Sequence, residues 1–335
     1  MSMNNPFHNP AFSVSALTAA INILPNQYGR LDELDLFPVK PVRTRQVTIE
    51  ENNGVLSLLP TQPVGSSGTV GKRGKRTARA FVIPHIPHDD VVLPEEVVGV
   101  RAFGTETELE SVAAVMADHL QTMRNKHAIT LEHLRMGALK GVILDSDGSE
   151  IADLFKIFDI QPKTLEFELA NKDTNVRQKC IELKRYLSGA LMGERMNGVH
   201  VLVSPEFFDA LTSHPKVEKA YDRWQEGAAL REDMRTDFRL GGVRFEEYAG
   251  EASTGEGQSR RFIAKDEGHA FPLGTLDTFA TYVAPADFNE TVNTLGQLLY
   301  SKQAPRKFDR GTDLHTQSNP LPMCHRPALL VKLKA

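Results

Sequence analysis

Between Thr105 and Lys140 the chain carries one unbroken amphipathic stripe, and everything else has to be arranged around the helix it encodes. Apolar or half-buried positions recur at Leu109, Val112, Met116, Leu120, Met123, His127, Leu131, Leu134 and Ala138, in steps of three and four. That spacing keeps them on one helical face. Thr105-Glu-Thr-Glu108 reads as a capping box, with Thr105 as N-cap and Glu108 at the third helical position. Acids crowd the start (Glu106, Glu108, Glu110) and bases the end (Arg135, Lys140), as the helix dipole prefers, and Gly141 is a natural stop. At 1.5 Å per residue the predicted helix is on the order of 50 Å long, a strut.

What precedes the strut does not read as a compact domain. A short apolar helix is predicted from about Ser13 to Leu24, stopped by Pro25, and the tail with Pro38 and Pro41 favours extended backbone. Residues 1–40 therefore read as an arm. Next, Arg43 to Glu50 alternates like a strand, and Asn53-Gly54 ahead of Val55 to Leu59 is a strong hairpin signal. No acidic residue occurs from Thr61 to Pro84, and Lys72, Arg73, Lys75, Arg76 and Arg79 fall within nine residues interleaved with glycine. Such a composition cannot pack a core, so a long basic loop is expected in this stretch. A proline-punctuated extended segment (Pro84, Pro87, Pro94) leads into the strut.

Beyond it, 141–145 and 151–158 flank the turn Ser146-Asp147-Gly148 and read as a second hairpin. Helix is predicted over 173–192, a short buried strand over 198–203, and one or two helices over 205–224, broken at His214-Pro215. Short strands follow at 243–248, 261–264, 269–273 and 279–283, and 321–333 is extended and apolar. The fold class expected is α+β.

The length, 335 residues, allows about two compact units. Apolar residues at 41% suffice for a core, and 24% charged residues argue against wholesale disorder. A net charge of −4 argues against a dedicated nucleic-acid binder but not against a protein that encloses nucleic acid. Cys180 and Cys324, the only cysteines, are expected to be free thiols of a protein made in a reducing cytoplasm. Two thiols cannot by themselves form a structural zinc site. The first ten residues lack a secretory pattern, and no apolar run is long enough to span a membrane.

Each chemical motif has a plainer explanation. Gly65 to Lys72 resembles a phosphate-binding loop, but its spacing is one residue too long and Arg73 stands where Ser or Thr should hold magnesium. Asp145-Ser-Asp147-Gly148 has too few ligands for a calcium loop. His85 and His88, near Asp89 and Asp90, sit between prolines in a stretch expected to be exposed, where nothing fixes a metal geometry. His119, His127 and His133 lack the pattern of zinc hydrolases. Ser204, before Pro205 and Glu206, is a helix N-cap and not a nucleophile elbow. Neither a catalytic constellation nor a cofactor site can be assembled.

The order of segments does point somewhere. Met136-Gly-Ala-Leu-Lys-Gly141 ends the strut, and Val199-His-Val-Leu-Val-Ser-Pro-Glu-Phe-Phe208 forms a strand–helix unit with Val217-Glu-Lys219 beyond it. Leu240-Gly-Gly-Val-Arg-Phe245 and the closing Ser318-Asn-Pro-Leu-Pro-Met-Cys-His-Arg-Pro-Ala-Leu-Leu330 complete the set. In this order and spacing, over nearly the whole chain, the sequence resembles the major capsid proteins of tailed bacteriophages, the phage lambda-type major capsid protein E family. The resemblance implies an arm (1–36) and an extended loop (47–84) reaching across neighbouring subunits. It implies a peripheral domain (85–163) with the strut (105–140) as spine, an axial domain (164–286), and a return to the peripheral domain (287–335). It further implies hexamers and pentamers of one chain, assembled in the host cytoplasm into an icosahedral shell around double-stranded DNA that is not read for sequence. Scaffolding, portal and decoration proteins are the further partners it brings in. Leu17 and Ile21 on the arm helix, with Lys72, Arg73, Lys75, Arg76 and Arg79 on the loop, are the residues expected at contacts between copies. Some relatives of the fold weld subunits through a lysine–asparagine bond, for which Lys72 or Lys75 would supply the lysine. An encapsulin-like compartment on the same fold, and a soluble enzyme without a recognisable motif, are the alternatives.

Overall fold

The computed structural model describes residues 12–24, 26, 28–52, 76–98, 108–222, 234–253 and 259–335. The chain divides into two compact units, each assembled from three separate stretches. Unit 1 takes Met1–Val47, Phe81–Arg135 and Ala280–Met323; unit 2 takes Thr48–Ala80, Met136–Phe279 and Cys324–Ala335.

Unit 2 is built on a six-stranded mixed sheet in the order Lys163–Glu166, Val331–Lys334, Glu267–Leu273, Gly198–Val203, Val243–Glu247, Phe238–Leu240. Strand Gly198–Val203 lies near its middle, parallel to Val243–Glu247 and antiparallel to Glu267–Leu273. One face is apolar because Val199, Val201 and Val203 alternate along this strand and meet Val243, Phe245, Ala270 and Val331. The helix Val176–Ala190, capped by Asn175 accepting from Gln178 N–H, covers that face with Val176, Cys180, Leu183 and Leu187. The spacing of four, three and four is a single helical stripe. Phe167 sits in this core with its ring centre 5.8 Å from that of Phe207 and 6.1 Å from that of Phe245, both edge-on. The helices Pro205–Thr212 and Pro215–Asp222 break at His214-Pro215 as predicted, because a proline cannot supply the next helical N–H.

Unit 1 rests on a three-stranded antiparallel sheet of Tyr300–Pro305, Thr312–Ser318 and Ile86–Val92. The arm helix Val14–Ile23 and the strut pack with it, joining Leu17, Ile21, Val112, Met116, Leu120 and Met123 to Val92, Leu299 and Leu314. A second small sheet orders Val39–Pro41, Phe279–Val283 and Pro320–Cys324. The segment from Pro285 to Leu299 closes against it, where Gly296 N–H donates to Val42 C=O at 2.9 Å. A Cβ at Gly296 would lie 2.0 Å from the Val283 carbonyl oxygen. Gly296→Ala is therefore expected to displace this backbone and cost about 1–3 kcal/mol, read as a lowered urea midpoint.

The strut is continuous over Glu108–Lys140; its expected cap at Thr105 lies outside the described residues. Other boundaries moved for identifiable reasons. The strand expected to run to Phe158 stops at Asp153, whose carboxylate accepts from Lys156 N–H and starts the helix Leu154–Phe158. The strand expected at 261–264 is Ser259–Arg261, paired with Glu251–Ser253. The extended C-terminal run is two strands in two sheets, separated by a 3-10 turn at Pro327–Leu329. Its second half pairs with Glu267–Leu273 and Lys163–Glu166, which assigns the last strand to unit 2 and not to the unit that contains 287–323. The stretch with His85 and His88 is not a free exposed segment either, since Ile86–Val92 is paired along its length with Thr312–Ser318.

Candidate self-assembly surface

The arm is latched to its own subunit before any neighbour is considered. Ser13 caps its helix by accepting from Ala16 N–H. Leu17 and Ile21 are 2% and 0% exposed, buried against the subunit's own strut and sheet. They leave no free apolar surface for a contact between copies, and Ile23, 82% exposed, is the arm-helix side chain that does. The sequence pattern marks an apolar face but not whose core receives it. Polar groups complete the latch: Thr18 Oγ1 donates to Ser301 C=O at 3.3 Å, Asn22 Nδ2 to Leu299 C=O at 2.8 Å, and Arg124 to Ile21 C=O. After the helix, Glu132 accepts from Leu31 N–H at 3.0 Å and the Arg135 guanidinium pairs with Asp32. Arg135 beside it holds the Asp32 carboxyl below the usual range, although partial burial alone would raise it.

The stretches that flank the expected basic loop pair as a two-stranded ribbon, Gln46–Asn52 with Arg76–Val82. Val47, Ile49 and Phe81 are buried at its base. Arg79, expected at a contact between copies, lays its guanidinium over the Phe158 ring of its own unit, 4.9 Å from the centroid. Arg76 lies on the second ribbon strand, and Lys72, Arg73 and Lys75 fall outside the described residues, as do the Asn53-Gly54 turn and Val55 to Leu59.

The buried polar groups have structural duties. His127 bridges Ser318 Oγ at 2.9 Å and Thr316 Oγ1 at 3.0 Å, and burial pushes its pKa down to about 3. His119 sits between Asp90 and Glu96 at 2.7 and 2.9 Å; those carboxylates raise its pKa against the opposing effect of burial. His200 is fully buried 3.1 Å from Glu246 and stacks on Phe271. No hydroxyl or thiol nucleophile accompanies that pair in the described contacts, and Ser204 is the N-cap of its helix, accepting from Phe207 N–H. Burial pushes both thiols, Cys180 and Cys324, up to about 12, which makes them poor nucleophiles at neutral pH. Among the described residues no three His, Cys, Asp or Glu side chains are grouped to hold a metal, and no helix is long and apolar enough to cross a membrane.

Unit 1 exposes several large apolar side chains. Phe308, at the tip of the hairpin Tyr300–Ser318, is 89% exposed. Val292, Leu295 and Leu298 are exposed on the segment beside the arm helix, together with Ile23. A hollow of about 520 Å³ opens between that segment and the start of the arm helix, lined by Ser13, Thr18, Glu290, Thr294 and Tyr300. Apart from Ile23 at the end of the arm helix, these residues lie outside the long helices and strands, so sequence periodicity does not reveal them.

The model of the family described as phage major capsid protein E matches residues 13–335. The chain is 32% identical to the major capsid protein of Salmonella phage Felix O1, over 97% of this chain and 96% of that protein. It is 30% identical to the major capsid protein of Pseudomonas phage KPP10, covering 97% of each. Among solved structures, one described as a capsid protein of an E. coli CFT073 prophage superposes with a TM-score of 0.62 at 17% identity, covering 96% of this chain and 98% of that one. A phage-related protein from Bordetella bronchiseptica RB50 follows at 0.53 and 13%, covering 97% and 98%. The chain belongs to the phage major capsid protein E family: it is a structural protein of the virion that forms the capsid shell, and not an enzyme.

Proposed function

We propose that copies of this chain assemble in the host cytoplasm as hexamers and pentamers, which close into an icosahedral shell around double-stranded DNA. Unit 2, with its large mixed sheet, is the axial domain that meets its copies around the five- and six-fold axes, and unit 1 is the peripheral domain. The basic loop between Asn52 and Arg76 crosses to a neighbouring subunit. The observation that carries this reading is the ribbon Gln46–Asn52 and Arg76–Val82, which forms a two-stranded sheet of its own and leads into a glycine-rich basic sequence. Two strands alone are marginal in water, and a glycine-rich basic stretch cannot pack a core of its own, so a second surface has to receive it. The charge of −4 suits a wall that confines DNA without binding it tightly.

Replacing residues 55–73 with a short glycine-containing turn tests this. The expected variant melts within a few degrees of the parent chain but forms no shells or rings by electron microscopy. Shells formed at the parent's yield would overturn the role of the loop.

A further inference from the structure

Threonine and asparagine are poor residues for the middle of a helix, because their side chains compete for the backbone. The arm helix nevertheless carries Thr18 and Asn22 on one face, a turn apart. Both hold main-chain groups of another element. Thr18 Oγ1 donates to Ser301 C=O at 3.3 Å and accepts from Ser301 N–H at 3.2 Å, while Asn22 Nδ2 donates to Leu299 C=O at 2.8 Å. Thr18 and Ser301 are buried, so water does not substitute for these bonds.

The element they meet is a sheet edge. Tyr300–Pro305 has Thr312–Ser318 on one side and, among the described residues, no strand on the other. In an antiparallel ladder alternate residues turn both main-chain groups to the same side. Arg306 N–H donates to Gly311 C=O across the hairpin, so Ala304, Lys302 and Tyr300 face Thr312–Ser318, whereas Ser301, Gln303 and Pro305 face outward. Outward groups of this kind are a template on which another chain can add a strand. Pro305 has no N–H to offer, and the arm occupies both groups of Ser301.

The opposite edge strand, Ile86–Val92, is protected differently. The same alternation turns Pro87, Asp89 and Val91 outward. Pro87 lacks the N–H, Val91 N–H donates to Asp90 Oδ1 at 2.8 Å, and the charged Asp89 side chain is 77% exposed. Those are the devices by which sheet edges are blunted from within. One edge therefore carries its protection in its own residues, and the other receives it from a helix 283 residues away in the chain.

We propose that the arm helix is an edge guard: Thr18 and Asn22 keep residues 299–303 from pairing with the same edge of a second copy. Two identical edges can pair antiparallel about a two-fold axis, which makes another copy of this chain the partner that fits. The inference concerns the unassembled subunit and stands apart from the shell.

Thr18→Val with Asn22→Leu tests it, since the pair keeps the apolar face of the arm helix and removes its three hydrogen bonds to the edge. Hydrogen–deuterium exchange over 299–303 is expected to quicken roughly tenfold or more. Sedimentation is expected to show dimers at concentrations where the parent subunit is monomeric. Adding Gln303→Pro removes an outward-facing donor and no ladder bond, and should return the variant to monomer. Gln303→Lys, which blunts the edge by charge and leaves the backbone intact, should do the same. Association through misfolding would not be relieved by a proline in a strand. Unchanged exchange over 299–303, or a variant that stays monomeric although that edge exchanges faster, would overturn the guard. Dimers that persist with both Gln303 substitutions would place the association elsewhere and overturn it too.

Discussion

Acidifying the purified subunit from pH 7 toward pH 4 is expected to lower its stability by several kcal/mol, through histidines that the fold buries uncharged. His127 in unit 1 and His269 in unit 2 are each pushed down to about 3 by burial, against an ordinary value of 6.5. Coulombic repulsion adds to it, from His88 and His315 in the first case and from Lys140 and Lys332 in the second. Between about pH 6.5 and pH 3 the unfolded chain binds a proton at each site that the native chain refuses. Stability is therefore full above about 6.5 and falls continuously as the pH drops toward 3. At about 1.4 kcal/mol per pH unit, the loss is bounded at roughly 4–5 kcal/mol for each histidine. His119 works in the opposite sense: its raised pKa gives stability that is present in acid and is lost as the pH rises through its folded value. Urea unfolding at pH 4, 5, 6 and 7 measures the slope. His127→Gln, whose amide can still bond Ser318 and Thr316, should flatten it; an unchanged slope would rule out His127 as a source.

Removing the Asp32 carboxylate is the second change with a large expected effect. The Arg135 side chain is 4% exposed, and Asp32→Ala leaves its guanidinium buried without that counter-charge. Stranding one member of a buried pair costs about 3–5 kcal/mol, and because Asp32 itself is 44% exposed the low end, about 3 kcal/mol, is expected. Arg135→Met together with Asp32→Ala should recover most of it, since no buried charge then remains. The loss should concentrate in the arm: in Asp32→Ala, limited proteolysis between the arm helix and the strut should accelerate well before the strut itself is cut. Equal protection of the two segments in variant and parent would show that the pair does not latch the arm.

The strut, the arm helix and the strand–helix unit around Ser204 were legible because each depends on local rules. A stripe at helical spacing, a serine cap and a proline at the first turn act within a few residues. The sheet of unit 1 was not legible, and Thr312–Ser318 shows why. It buries Thr312, Thr316, Gln317 and Ser318, polar residues that no apolar alternation could flag. Two of them find partners far away in sequence: Thr316 donates to His88 C=O at 3.0 Å, and Ser318 meets His127. The same reasoning explains the arm. Leu17 and Ile21 advertise an apolar face, but only tertiary structure says that it is the subunit's own strut that receives it.

The interleaving of the two units governs how the subunit comes into being. Unit 1 needs a stretch that ends at Met323, and the sheet of unit 2 takes its second strand from Val331–Lys334, between Lys163–Glu166 and Glu267–Leu273. Neither unit can be completed while the other waits its turn, so the usual order of synthesis, one domain folding behind another, is denied to this chain. Contacts of such long sequence separation also make for slow folding. During translation the apolar faces of Val176–Ala190 and of the strut stay without their full complement of partners until the stretches through Met323 and Val331–Lys334 have been made. A chain cut short before Val331 would lack a strand from the interior of its main sheet. Synthesis through Lys334 is thereby made a condition of a finished sheet, a form of quality control written into the strand order.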